Sequence, residues 1–358
     1  MRILIDILTP KHCRFFSRLA ERLKKRGHKV WFTSREYREA NGLMELMGIE
    51  ARIVGRHGGK ELKNKLMAST ERTMELIPIF DEIDPDVSLS LSPEMARASY
   101  GLGIPHICVN DSPHAEAVAR LTVPLSKRLL SPWIIPKEVW ERLGVANDDI
   151  VQYRALDPWA WIKDLKPDRG VLDELGLDPE KPIITFRTAE TFAAYLVGKS
   201  TEGGTMLDFI GGLQELEGAP QIVVVPRYIE QVSDIKKAFE GEVTLCESIV
   251  DGPNLLYHSD VFVGMGGTMS AESALLGVPT YSAYPAESFI IEKYLIDQGL
   301  IDKEKDPGKL LAKISGTLDD LEGAKRKCST RARGLVETFE DPLEVIIREV
   351  ERVHGEAD

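Results

Sequence analysis

Cysteine is sparse in this chain: Cys13, Cys108, Cys246 and Cys328 are its only four, set far apart among 358 residues. That spacing suits neither a disulfide framework nor a zinc site, and a reducing cytoplasm is the expected setting. No other grouping of His, Cys and carboxylate residues has metal-ligand spacing, so no metal is expected. Long apolar runs are missing as well. None approaches the roughly 20 residues that span a bilayer, and the opening Met-Arg-Ile-Leu-Ile-Asp-Ile-Leu reads as a buried strand that leaves no room for a signal peptide. Positive charge is in deficit. A formal net charge of −12 argues against a general nucleic-acid binder, which needs a basic surface to displace counterions from phosphates. A Walker sequence and a serine nucleophile elbow are both absent, which sets aside kinases and esterases, as the missing metal cluster sets aside zinc hydrolases. There is no low-complexity segment and no repeat at a solenoid period.

What is present is an ordinary globular composition, 43% hydrophobic and 28% charged, at a length that suggests about two domains. Apolar strands alternate with helix-period segments throughout, the mark of parallel βαβ units. Strands are predicted at Ile3 to Leu8, Lys29 to Thr33, Ala51 to Val54, Val87 to Leu91 and His106 to Val109, with an amphipathic helix near Arg14 to Arg26 closed by Gly27. The stretch Lys163 to Lys181, rich in Asp, Pro, Lys and Gly, marks a boundary. A second series follows at Pro182 to Phe186, Gln221 to Val225, Val243 to Cys246, Val261 to Val263 and Thr280 to Ser282, with helices near Ser288 to Gln298, Pro307 to Thr317 and Leu343 to His354. The expected fold is α/β: two doubly wound, Rossmann-like domains, residues 1–165 and 180–338, and a closing helix in 339–358 that packs back on the first. Ligands of open α/β sheets collect beyond the carboxyl ends of the strands, which places the expected site in a central cleft faced by both domains.

The most informative stretch is Val261 to Ser282. A strand runs into a turn with Gly264, Gly266 and Gly267, then into a helix from Thr268 to Leu276 that Gly277 and Pro279 terminate. Glycines let backbone N–H groups converge, and a helix start adds unpaired donors and partial positive charge, so a diphosphate fits there without a lysine. The plainer reading is a glycine-containing turn inside an α/β sheet. Glu272 lies one turn into the helix, where a carboxylate could accept both hydroxyls of a ribose. If Thr268 is the N-cap, a capping-box glutamate belongs at Ala271, so capping does not explain Glu272.

Other strand ends add candidates. Arg187 and Arg227 follow the second-half strands and suit a diphosphate that is held and then stabilised as it leaves, although each alone reads as a solvated loop charge. In the first half, Ser92-Pro93 and Ser112-Pro113 read as N-cap and N1 of two helices. Around the second pair crowd Asn110, Asp111, His114, Glu116 and Arg120. Asp111 and His114 have the chemistry of a general base, while Glu116 and Arg120 have i, i+4 spacing that often makes only a surface ion pair. His12, expected in the loop after the first strand, is a further base candidate. The stretch Arg52 to Lys65, with Arg56, His57, Lys60 and Lys63 around Gly58-Gly59, could meet an acidic acceptor or a membrane surface, or form a solvated face.

The string Gly-Gly-Thr-Met-Ser-Ala-Glu-Ser-Ala-Leu-Leu-Gly-Val-Pro resembles the donor-binding motif of GT-B glycosyltransferases and of the non-hydrolysing UDP-N-acetylglucosamine 2-epimerases. Nearly end to end, through Arg56-His57-Gly58-Gly59, Asn110-Asp111, His114-Ala115-Glu116, Arg120-Leu121-Thr122, Pro226-Arg227 and Gly264 to Pro279, the chain is similar to an archaeal GT-B-like set classed as domain of unknown function 354. The resemblance implies that Gly266, Gly267 and Thr268 meet a diphosphate and Glu272 a ribose, and that the first domain holds the acceptor or reacting sugar. Two departures matter: Phe186-Arg187 stands where the epimerases carry a histidine-arginine pair, and Ser270-Ala271 where they carry paired glutamates. Both remove groups tied to epimerisation, while Asp111 and Glu116 fall where the epimerases' carboxylates act. The leading expectation is therefore a glycosyltransferase that moves a sugar from a UDP-linked nucleotide donor to a hydroxyl of an unspecified acceptor, with no cofactor beyond that donor. A nucleotide-sugar epimerase and a non-catalytic nucleotide-sugar binding protein are the alternatives.

Overall fold

In the computed structural model of the protein, residues 1–59, 61–188, 206–227 and 229–356 are described. The chain divides into two compact units, Met1–Trp161 with Phe339–Asp358, and Ile162–Thr338. The division falls just ahead of the Asp- and Pro-rich stretch that composition singles out.

The first unit is built on seven strands: β1 (Arg2–Ile7), β2 (Lys29–Glu36), β3 (Arg52–Arg56), β4 (Val87–Ser90), β5 (His106–Val109), β6 (Arg128–Pro132) and β7 (Ile150–Tyr153). They pair in the order β3-β2-β1-β4-β5-β6-β7, in parallel, with Ile3 facing Val30 on one side and Val87 on the other. Ile3, Leu4, Ile5 and Ile7 are fully buried because helices cover both faces of a parallel sheet. Each such side chain contributes about 1.5–3 kcal/mol. Helix α1 (Pro10–Lys25) starts four residues before its predicted position, since Thr9 accepts the His12 N–H as N-cap and Pro10 fits the first turn. Cys13, Phe16, Ala20 and Leu23, at helical spacing, form its buried stripe.

Helix α2 spans Arg38–Leu46, α3 spans Leu62–Ile83, α4 spans Pro93–Leu102 and α5 spans Glu116–Arg120. The long α3 escapes a periodicity search because Leu62, Leu66, Met67 and Met74 are exposed and blur its stripe. The closing helix Pro342–Gly355 is capped by Asp341. It docks on α1, where Arg22 reaches Asp341 at 2.6 Å and Arg26 reaches Glu344 at 2.5 Å.

The second unit carries a six-stranded parallel sheet: β8 (Ile183–Arg187), β9 (Gln221–Val225), β10 (Thr244–Leu245), β11 (Val261–Gly264), β12 (Thr280–Ser282) and β13 (Ile301–Lys303). The order is β10-β9-β8-β11-β12-β13. Strands β6, β7 and β13 have no counterpart in the sequence reading: β6 ends on a proline, and β13 is only three residues long. In both sheets the order reverses at one place, between β1 and β4 and between β8 and β11, and a doubly wound sheet opens its ligand crevice at that switch point. Among the described residues no helix is long and apolar enough to cross a membrane.

Candidate functional site

At the carboxyl end of β11 the chain turns abruptly into a helix, and glycine permits it. Gly266 and Gly267 take φ of +79° and +90°, a region that costs other residues about 1–2 kcal/mol. The N-cap is Gly267, not Thr268, so a capping-box glutamate would belong at Ser270, and Glu272 still lies outside that pattern. Glycine as cap supplies no side-chain acceptor, and among the described residues no side chain closes the first N–H groups of the helix Thr268–Leu276, which stand as donors at the positive end of its dipole. Gly264 serves close packing: a Cβ there would stand 2.7 Å from the Phe262 ring and from Ser270 Oγ. Glu272 is 3% exposed.

Arg187 and Arg227 come from neighbouring strand ends. The Arg187 Nη1 donates to the Pro226 carbonyl at 2.8 Å, tying the end of β8 to that of β9. The Arg227 side chain is exposed, while its backbone N–H donates to Thr188 Oγ1 and Gln231 Oε1, both at 2.9 Å. Since β9, β8 and β11 are consecutive in the sheet, the two arginines and the glycine turn share one edge, with the switch point between Arg187 and Gly266.

In the first unit the early start of α1 puts Lys11 and His12 in a helical turn instead of a loop. The Lys11 Nζ lies 2.5 Å from Asp111 Oδ1 and 2.6 Å from Asp157 Oδ2. Tyr153 donates its hydroxyl to Asp157 at 2.5 Å, and Ser112 donates to Asp111 at 2.8 Å. Burial opposes the charge on Lys11, yet the two carboxylates outweigh it and raise its pKa. Burial also opposes the ionised Asp111, and Lys11 overcomes that, so Asp111 titrates below the usual carboxylate range. Asp157 moves the other way, because burial together with the Asp111 charge outweighs Lys11. Two carboxyls pushed apart on one ammonium are suited to opposite proton-transfer roles.

The remaining candidates fare differently. His12 is 7% exposed, its Nδ1 accepts the Leu8 N–H at 3.3 Å, and burial with the Lys11 charge lowers its pKa to about 3. It is a neutral interior residue whose lone pair is already engaged, which corrects the reading of a loop base. Ser92 caps α4 by accepting the Met95 N–H, with Pro93 at the first helical position. The second Ser-Pro pair does not repeat this: Ser112 bonds to Asp111 and Asn110, Pro113 and His114 lie in a turn, and α5 begins only at Glu116. Asn110 at the strand end competes for the Ser112 N–H and redirects the chain. His114 is exposed on that turn, and what partial burial its ring has lowers its pKa. Glu116 is exposed and paired with Arg120 at 2.7 Å. A groove of about 840 Å³ lined by Lys24, Trp31, Ile49 and Glu82 contains none of these residues.

The model of the DUF354 family, described as a protein of unknown function, matches residues 1–354. The chain belongs to the DUF354 family. An uncharacterized Methanocaldococcus jannaschii relative of this DUF354 protein is 29% identical over 352 residues, 97% of this chain and 96% of the relative. Among solved structures, a Methanocaldococcus jannaschii UDP-GlcNAc 2-epimerase in complex with UDP-GlcNAc and UDP superposes with a TM-score of 0.73 at 13% identity, covering 98% of this chain and all of that one. The glycosyltransferase VinC in complex with dTDP gives a TM-score of 0.62 at 16% identity, covering 99% and 100%. At such identities the likeness is one of fold, and it places the DUF354 chain among GT-B-like proteins with two Rossmann-type sheets.

Three residues of this DUF354 protein's candidate site escape sequence reading. Lys11 and Asp157 carry no motif and meet only through the fold. Glu292, 6% exposed, accepts the Ser282 hydroxyl at 2.5 Å and leaves Oε2 covered without a hydrogen-bond partner among the described residues. It stands 3.5 Å from where a Cβ on Gly266 would be. Its signal was an acidic residue sharing the buried face of an amphipathic helix with Leu295.

Proposed function

We propose that this protein is a nucleotide-sugar-dependent glycosyltransferase that moves a sugar from a UDP-linked donor to an acceptor hydroxyl. The observation that carries the reading is the Gly267-capped helix start at the β8/β11 switch point, with Arg187 and Arg227 on the adjoining strand ends. In this reading the open N–H groups of Gly267, Thr268 and their neighbours receive the diphosphate, Glu272 accepts the ribose hydroxyls, and the two arginines stabilise the departing diphosphate. Asp111 takes the acceptor proton, with His114 beside it. Lys11 keeps Asp111 ionised and also weakens it as a base, so proton removal accompanies sugar transfer rather than preceding it. The preference for UDP rests on the ligands of the fold relatives, and four free thiols suit a reducing compartment.

Calorimetric and thermal-shift titration with UDP, GDP, CDP, dTDP, ADP and their sugar conjugates tests the donor site. Binding of one base family at 100 times its dissociation constant should stabilise the fold by about 2.7 kcal/mol, and Glu272→Ala should abolish it. If no nucleotide binds, the turn is only structural and the reading fails.

A second reading, nucleotide-sugar epimerase, draws on the opposed carboxyls Asp111 and Asp157, which could remove a proton from a ring carbon and return one. Incubation in deuterated water without acceptor separates the two: solvent label entering the sugar supports epimerisation and sinks simple transfer.

A further inference from the structure

Arg35, next to last in β2, is built into the first unit without a hydrogen-bond or ion-pair partner for its side chain among the described residues. It is half-buried, and its Nε is fully covered. The carboxylates nearest to it electrostatically are already engaged. Glu94 accepts from Ser69 at 2.6 Å, Ser92 at 2.9 Å and Arg72 at 3.5 Å. Asp6 accepts from Arg72 at 2.6 and 3.0 Å and from Thr33 at 2.7 Å. The Arg35 guanidinium lies 5.8 Å from the Tyr37 ring centroid, and the Tyr37 ring lies 5.9 Å from that of His57, which follows β3. His57 Nδ1 accepts the Gly59 N–H at 3.1 Å, so a neutral His57 carries its proton on Nε2.

We propose that Arg35 and His57, at the carboxyl ends of β2 and β3, bind an oxyanion, phosphate or carboxylate, carried by the molecule that enters the first unit. The proposal rests on the reading of that unit as the acceptor side. A covered guanidinium N–H without an acceptor is costly to a folded protein, and a planar fork of donors matches a two-oxygen anion. Sheet order supplies a length. From β2 to β5, which delivers Asp111, there are three strand spacings, on the order of 14 Å. The acceptor therefore carries its anionic group well away from the reacting hydroxyl, farther than one sugar ring reaches.

Calorimetry at low salt with trehalose 6-phosphate, digalacturonate and neutral trehalose tests this on the full chain, with Arg35→Gln, Arg35→Lys and Gly267→Ala alongside. The expected result is that one anionic disaccharide binds at least about tenfold more tightly than trehalose, the weight of a charge-assisted pair. The phosphate and carboxylate probes distinguish the two anions. Arg35→Gln should lose that margin, Arg35→Lys should keep part of it, and Gly267→Ala should leave it unchanged. Because Arg35 has no hydrogen bond to lose among the described residues and gives up only its place over the Tyr37 ring, Arg35→Gln should melt within a few degrees of the parent. Equal binding of all three sugars, no binding of any up to millimolar concentration, wild-type binding by Arg35→Gln, loss through Gly267→Ala, or a melting temperature of Arg35→Gln lowered by well over a few degrees each overturns the proposal. UDP titrated into the same samples keeps the readings apart: UDP binding without anion binding removes this site alone, and the reverse removes the donor site alone.

Discussion

The ammonium of Lys11 sits 2.5 Å from the carboxylate of Asp111, and neither residue lies on the other's secondary-structure element. Helix α1 supplies the cation from its first turn, and the end of β5 supplies the anion. This contact keeps Asp111 ionised inside the unit and separates it from Glu116, which is held in an exposed ion pair. Asp111→Asn should lower turnover by about 10²–10⁴-fold while UDP binding stays intact. Glu116→Gln should remain within a few-fold of the parent. Equal losses in the two variants, measured with the donor and acceptor that the binding screens identify, would remove Asp111 from its role.

Stability should fall on the acid side well before the carboxylates protonate. His12 and His106 are buried, and burial lowers both pKa values from 6.5 to about 3. Their contribution is complete above the unfolded-state pKa of 6.5 and is lost as pH drops from there toward about 3, since the unfolded chain takes up protons that the folded chain refuses. The slope in this window is about 1.4 kcal/mol per pH unit for each histidine. Urea unfolding at several pH values should show it, and a His12→Gln/His106→Gln protein should show a flatter acid limb whatever its absolute stability. An unchanged slope would refute the assignment.

Arg72 and Asp6 form a buried bidentate pair, 1% and 0% exposed, with Arg72 Nε also donating to the Val54 carbonyl at 2.8 Å. Arg72→Met strands Asp6 in the interior, and the expected cost in urea unfolding is about 3–5 kcal/mol. Adding Asp6→Asn should recover part of that loss. A single variant that costs under about 1 kcal/mol would mean the pair behaves as if it were on the surface.

Two glycines in left-handed geometry should respond differently. Around Gly267 a Cβ would meet no atom of the described residues within 4 Å, so Gly267→Ala should cost about 1–2 kcal/mol from backbone strain while weakening UDP binding. At Gly277, φ +80°, a Cβ would lie 2.7 Å from the Ser329 Cα, so Gly277→Ala should cost about 2–4 kcal/mol and leave the intrinsic affinity for UDP unchanged. Paired unfolding and UDP titrations check both. Loss of UDP affinity through Gly277→Ala alone would move the binding site away from the turn.

What the sequence by itself determined is local. Strand β11 and the glycine turn are legible to within one residue and the helix Thr268–Leu276 to its ends, because chain reversal, capping and left-handed geometry depend on a few adjacent side chains. The two parallel α/β halves follow from hydrophobic period for the same reason. Where local signals conflict, tertiary structure decides: the Ser112-Pro113 pair has the form of a helix start, but the Asn110 side chain captures the backbone and the helix waits until Glu116. The charged interior was not legible at all. Arg72 meets Asp6 across 66 residues of chain, Lys11 gathers carboxylates from two other strand ends, and among the described residues Arg35 finds no acceptor for its side chain. A sequence shows where charges are, but only packing decides which of them lose water together, and that loss gives them their partners, their shifted pKa values and their chemistry.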